Sequence, residues 1–275
     1  MITKSISRQA RRKAQRLGKG SNTNTEVKKD TVPMMQELNI NLLQPWSVPV
    51  MHTVLPPNIL NPMIRLTDKL VADSKTPNHG KKLVGQIEKE LTINQEDLEK
   101  IEVSEFFHEV AKQFAIICQC QKYPRNADAI RKETWLSEIL ETWVVSQQPG
   151  EYNPLHMHSN CLISAVMYLK VPKWKPSLKS HRVDDDGSII FASNVGPDTE
   201  FSQPVLSVQP SVGDFFIFGA NQLHSVNPYH CDEGDSERRS VSFNAIFKSK
   251  KLFDQQKKEY LEGKSGEDMS SIVIT

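Results

Sequence analysis

The stretch EYNPLHMHSNCLISAVMYLKVP, residues 151–172, sets two histidines one residue apart, directly ahead of an apolar run. In an extended chain, side chains at alternate positions share a face, so His156 and His158 would project together about 6 to 7 Å apart. Two neutral imidazoles at that spacing can close on one first-row metal ion, while Met157 between them turns the other way into packing. Hydrogen-bonded core or surface positions would suit two histidines equally well, so the pair needs a third partner. It is offered by SVGDFFIFGANQLHSVNP, in which Val212–Asp214 reads as a turn, Phe215–Phe218 as an apolar strand, and His224 stands at the strand's far end, before the chain turns at Asn227 and Pro228. A barrel that lays this strand beside the first would gather His156, His158 and His224 on one side of an ion. The remaining coordination positions would stay open, which is the condition for catalysis rather than structure.

A second chemical element lies in SERRSVSFNAIF. Alternation places Arg238, Ser240, Ser242 and Asn244 on one face and Arg239, Val241, Phe243 and Ala245 on the other. A polar face turned into a barrel calls for a ligand. An arginine and a serine two apart on a strand can clamp a carboxylate, the guanidinium by a forked charge-assisted pair and the hydroxyl by one further hydrogen bond. On an isolated strand the two arginines would be a solvated edge; beside three histidines the clamp is the better account.

These groups need a scaffold, and the chain has the material for one. Its 275 residues are 38% hydrophobic, enough for an ordinary buried core. The apolar runs fall far short of the roughly 20 residues of a membrane span, and the chain opens with no charged segment followed by an apolar one, so a cytoplasmic protein is expected. A net charge of +1 excludes a fold-wide basic surface for nucleic acid. Basic residues do concentrate between Lys4 and Lys19, where no acid interrupts them, and residues 1–37 read as a solvated arm capable at most of a weak nucleic-acid contact. The four cysteines show no CxxC spacing, and Cys118 and Cys120 fit core packing.

Residues 38–142 read as a helix-rich lead-in that supports the barrel. Its prolines favour extended segments up to Pro62, after which NPMIRLTDKLVAD begins a helix with Asn61 as cap and Pro62 at the first helical position. Three- and four-residue apolar steps predict one helix over Gln95–Cys120 and another through Ile130, Trp135, Ile139 and Trp143. After Thr142 short β-branched and aromatic runs alternate with turn residues, which predicts a curled antiparallel barrel or sandwich over 143–250 with helices on one outer face. Residues 251–275 read as an amphipathic helix and a loose tail.

In this order, His-x-His, LISAVMYLKVP, GDFFIFGANQLHSVNP and RRSVSFN, the motifs resemble those of iron(II)- and 2-oxoglutarate-dependent oxygenases, most closely the family frequent in phage and marine bacterial genomes. The resemblance covers about residues 143–248. It implies a mainly β fold, the double-stranded β-helix or jelly roll, with helices packed on one sheet. It also implies iron held by His156, His158 and His224, the distal carboxylate of 2-oxoglutarate held by Arg238 and Ser240, and dioxygen as the third reactant. Tyr168 is similar to a residue that contacts that carboxylate in prolyl hydroxylases. The chain departs from the wider superfamily at His158, where an aspartate or glutamate is usual; Ser159 and Asn160 are poor substitutes, and three neutral ligands leave the metal more positive. Phe191, Phe215, Ile217 and Phe218 are candidates for an apolar wall. Rival readings are a cupin-like metal enzyme without 2-oxoglutarate and a non-catalytic jelly-roll module of a virion. His79, His181 and His230 fall outside any pattern, and the substrate, a small molecule or a protein side chain, is set by loops such as residues 173–187.

Overall fold

The structure, a computed structural model, describes residues 49–174, 185–193, 198–199, 202–231 and 236–262. The basic arm, His181, most of the 173–187 loop and the C-terminal tail lie outside the described residues.

Among the described residues, ten strands form two antiparallel sheets. The larger sheet holds β1 (Val50–Val54), β2 (Lys89–Thr92), β3 (Trp135–Gln147), β5 (Ile163–Lys170), β8 (Asp214–Gly219) and β10 (Arg238–Ser249), in the order β1-β8-β5-β10-β3-β2. The smaller holds β4 (Asn153–His156), β6 (Ile189–Ala192), β7 (Val205–Val208) and β9 (Leu223–Val226), in the order β4-β9-β6-β7. From β3 to β10 the chain crosses between the sheets at nearly every step, and this is the jelly roll the sequence leads one to expect.

Parity sorts the side chains of the larger sheet into two layers. Ile163, Ala165, Met167, Phe215, Ile217, Val241 and Phe243 face outward and share a core with the helices, whereas Val166, Tyr168, Phe216 and Phe218 face the barrel interior with Ile189 and Phe191. Phe215 and Ile217 therefore belong to the helix-facing core and not to the apolar wall of the cavity, a correction one residue of register decides. The covering helices are α1 (Pro57–Ala72), α2 (Gln95–Lys100), α3 (Ser104–Lys122) and α4 (Ala127–Lys132), and α5 (Lys250–Leu261) follows β10. Phe107 of α3 stacks on Phe243 at 4.8 Å between centroids, and burying such a ring contributes about 1.5–3 kcal/mol.

Three helix expectations change. Helix α1 begins at Pro57, where the missing N–H costs nothing, and carries Pro62 in its interior instead of at its start. The helix expected over Gln95–Cys120 is two helices. Glu102 takes φ +60, Glu102 N–H bonds Glu99 O and Val103 N–H bonds Leu98 O. This is a left-handed cap whose hydrophobic contact is the buried pair Leu98 and Val103. The predicted helix through Trp135 and Trp143 is instead the long strand β3, paired to β10 along its length. Its apolar residues satisfy either period, and the ladder offered by β10 along its whole length, joined by β2 from Trp143 to Ser146, decides the matter. No helix among the described residues is long and apolar enough to cross a membrane.

Candidate metal centre

The smaller sheet brings the histidines together. Strands β4 and β9 pair in a register that sets His156 directly opposite His224. His158 lies just past the end of β4, and its backbone N–H donates to Ala220 O at 2.8 Å, which ties this segment to the turn between β8 and β9. His224 therefore sits on its own strand of the smaller sheet and not at the end of the apolar strand Phe215–Phe218. Met157, expected to pack, is 61% exposed because the chain leaves the sheet there.

The three imidazoles offer ligand atoms that all lie within 4.8 Å of one another. Each ring is oriented by its Nδ1–H: that of His156 donates to Pro154 O at 2.7 Å, that of His224 to Gln222 O at 2.8 Å, and that of His158 to Asn244 Oδ1 at 2.8 Å. With Nδ1 protonated in all three, each Nε2 lone pair is left for the space between them, the tautomer a metal ligand requires. Burial lowers all three pKa values, and neighbouring imidazoles add to the shift at His158 and at His224, which falls to about 3, so the rings are neutral donors. This donor set fits a single first-row ion with coordination positions to spare. Trp143 stacks on His158 at 6.1 Å between centroids, and His79 backs Trp143 at 5.3 Å while its Nε2 meets Glu141 Oε2 at 3.2 Å.

Across the barrel, Arg238 is 1% exposed. Its guanidinium donates to Gln147 Oε1 at 2.9 Å and to Tyr168 Oη at 3.2 Å, and its Nε has no partner among the described residues. Burial pulls its pKa down and raises that of the Tyr168 phenol; the guanidinium nevertheless remains protonated. No carboxylate among the described residues pairs with it. A buried cation without an anion is costly by several kcal/mol, so the site is complete only with an anionic ligand. Ser240, 3% exposed, stands two residues along the same face and lies opposite Tyr168 on β5. Arg239 points the other way and is itself buried, bonding Glu237 through Nε at 2.7 Å and Asp68 on α1. Neither arginine is a solvated edge.

One cavity of roughly 390 Å3 joins the two elements: His156, His158 and His224 line it with Tyr168, Arg238 and Ser240. Phe218 lines it too, its ring 4.7 Å from that of His224, and Phe191 packs against Phe218 at 5.1 Å. Sequence reasoning missed Gln147, Glu90, Glu141 and Trp143. The face shared by Gln147 and Arg238 follows from strand pairing, which no local pattern announces. Alternation puts Asn244 on the polar face, but its bond to His158 depends on a loop meeting a strand 86 residues away.

Residues 141–244 match the family model described as "Putative 2OG-Fe(II) oxygenase". No curated protein matches the chain. Similar solved structures include an oxidoreductase of the 2OG-Fe(II) oxygenase family from Burkholderia pseudomallei, with 14% identity, a TM-score of 0.30, and coverage of 40% of this chain and 44% of that one. A prolyl-4-hydroxylase from Pseudomonas putida matches with 15% identity and a TM-score of 0.46, over 73% of this chain and 93% of that one. A prolyl hydroxylase from Trichoplax adhaerens, in complex with a hypoxia inducible factor oxygen degradation domain peptide fragment, matches with 14% identity and a TM-score of 0.45, over 72% of this chain and 82% of that one. The chain thus spans less than half the length of the first and most of the other two.

Proposed function

We propose that this chain, a 2OG-Fe(II) oxygenase domain over residues 141–244, is a hydroxylase in which His156, His158 and His224 hold iron and Arg238, Ser240 and Tyr168 hold the distal carboxylate of 2-oxoglutarate. The observation that carries the assignment is a guanidinium, 1% exposed and without an anionic partner among the described residues, in the same cavity as three converging imidazoles. Iron(II) with 2-oxoglutarate and dioxygen supplies oxidative decarboxylation to succinate and carbon dioxide and the oxidation of a substrate C–H bond. The chain's own share is orientation. Pro154 O, Gln222 O and Asn244 Oδ1 each hold one imidazole in the ligating tautomer. Gln147 and Tyr168 hold the guanidinium in place before an anion arrives, which lowers the ordering cost of binding. Phe191 and Phe218 exclude water from one wall. The substrate is a small molecule or a peptide side chain, and the setting is cytoplasmic.

The test is 2-oxoglutarate decarboxylation by the wild type and by His156→Ala and Arg238→Ala, together with anaerobic Fe(II) titration with and without 2-oxoglutarate. Iron-dependent succinate release, lost in both variants, and a weak visible charge-transfer band that needs the oxo acid are expected. The three-histidine set favours one rival, a metal enzyme whose anionic partner for Arg238 is its substrate. Metal binding with no band and no succinate would select that rival.

A further inference from the structure

The cavity carries a second buried charge that the oxygenase chemistry leaves unused. Strand pairing sets Glu90 of β2 opposite Val145, Val145 opposite Ser240 of β10, and Ser240 opposite Tyr168 of β5, so one row of side chains crosses four strands on the inner face. All four line the same cavity. Glu90 is 1% exposed, and among the described residues its Oε2 has no hydrogen-bond partner and no cation pairs with it. The carboxyl is housed between two glycines: a Cβ on Gly80 would stand 3.1 Å from Oε2, and one on Gly85 would stand 3.0 Å from Oε1 and 2.3 Å from Asn153 Oδ1.

We propose that Glu90 is the substrate-reading group of this cavity and that the substrate offers it an aliphatic ammonium or guanidinium. The inference deepens the oxygenase reading and rests on it for the reaction, though not for the binding. A carboxyl buried without a donor is destabilising until a ligand supplies one. Burial, with the charge of Glu151 adding to it, pushes the Glu90 pKa up to about 7, as expected of a carboxylate that still lacks its cation. Glu141 adds a second acid to the lining, and Lys82, exposed at the mouth, makes no ion pair with Glu90. Around that mouth Val84, Leu140 and Met157 are 48%, 38% and 61% exposed, an apolar rim for the methylene stem that such a cation carries.

The experiment is calorimetry on the full chain without added metal, using Nα-acetyl-lysinamide and Nα-acetyl-argininamide against their neutral counterparts Nα-acetyl-norleucinamide and Nα-acetyl-citrullinamide. Free lysine, run beside its capped form, separates a free amino acid from a peptide side chain as the source. The cationic member of each pair is expected to bind about tenfold or more tightly than the neutral one. Glu90→Gln should bring the ratio within about twofold, and Gly85→Ala, whose Cβ displaces Asn153 and the carboxyl, should weaken cation binding in a protein that keeps Glu90. Both variants should bind 2-oxoglutarate like the wild type. Equal binding of cationic and neutral probes, no binding of either, or a preference that survives both substitutions overturns the proposal. Cation preference in a protein that fails to bind 2-oxoglutarate even with Fe(II) supplied anaerobically would sink the oxygenase reading and leave this one standing.

Discussion

The guanidinium of Arg238 lies over the ring of Tyr168, 4.7 Å from its centroid, and donates to the phenol oxygen at 3.2 Å. The pair holds a full positive charge inside the barrel with only neutral partners among the described residues, which costs stability until an anion arrives.

That cost yields a prediction in two parts. Arg238→Met should unfold at the same temperature as the ligand-free wild type or higher, because it removes a buried unpaired charge. The same variant should lose the rise in unfolding temperature that 2-oxoglutarate gives the wild type, and its affinity should fall about 100-fold or more. Thermal unfolding with and without 2-oxoglutarate reads both.

Asn244 acts through His158, whose Nδ1–H it accepts at 2.8 Å. Asn244→Ala should weaken metal binding by about 10- to 100-fold while leaving the histidine set intact. His158→Asp, which installs the carboxylate usual in the superfamily, should retain metal binding, whereas His158→Ala should lose it. Anaerobic titration with Co(II), followed by its visible absorption, distinguishes the three.

Glu237 links the fold to pH. Burial alone would raise its pKa, but bonds from Arg239, Ser146 and Lys170 outweigh it and hold the folded value below the model-compound value of 4.5. A depressed carboxylate contributes stability that is fully present above the unfolded pKa and is lost as pH falls through the lower folded one. Urea unfolding of the wild type and Glu237→Gln should therefore differ most at neutral pH and converge in acid below 4.5. A gap that is constant down through that range contradicts the linkage.

Phe107 of α3 and Phe218 of β8 are both fully buried, but on opposite sides of the larger sheet. Phe107→Ala should cost about 3–5 kcal/mol in chemical denaturation and leave metal affinity unchanged. Phe218→Ala, beside His224 at 4.7 Å, should cost a similar amount and also disturb metal binding.

The chemistry was legible because it is local. His-x-His is legible by spacing alone, since His158 stands just past the end of β4, whereas Arg-x-Ser and the alternation on β10 need only the two-residue period of an extended chain, a covalent property of the backbone. The jelly roll's later strands were legible for the same reason. What the period could not decide is which sheet face meets which neighbour. Phe215 and Phe216 are adjacent and equally apolar, yet one packs on α3 and the other lines the barrel, a choice made by register against β5 and β1. Trp135–Trp143 satisfies a helical period, but β10 supplies a ladder along it and β2 joins on the other side from Trp143 onward.

By itself, then, the sequence determined the types and spacing of the three imidazoles and the arginine, and the strand face that carries the arginine. Only the tertiary structure decided that His224 lies opposite His156, that Gln147 braces Arg238, and that Glu90 shares a row with Ser240. Each of these meetings joins segments remote in sequence, and long-range pairing depends on the whole set of competing strand partners, not on any one segment's preference.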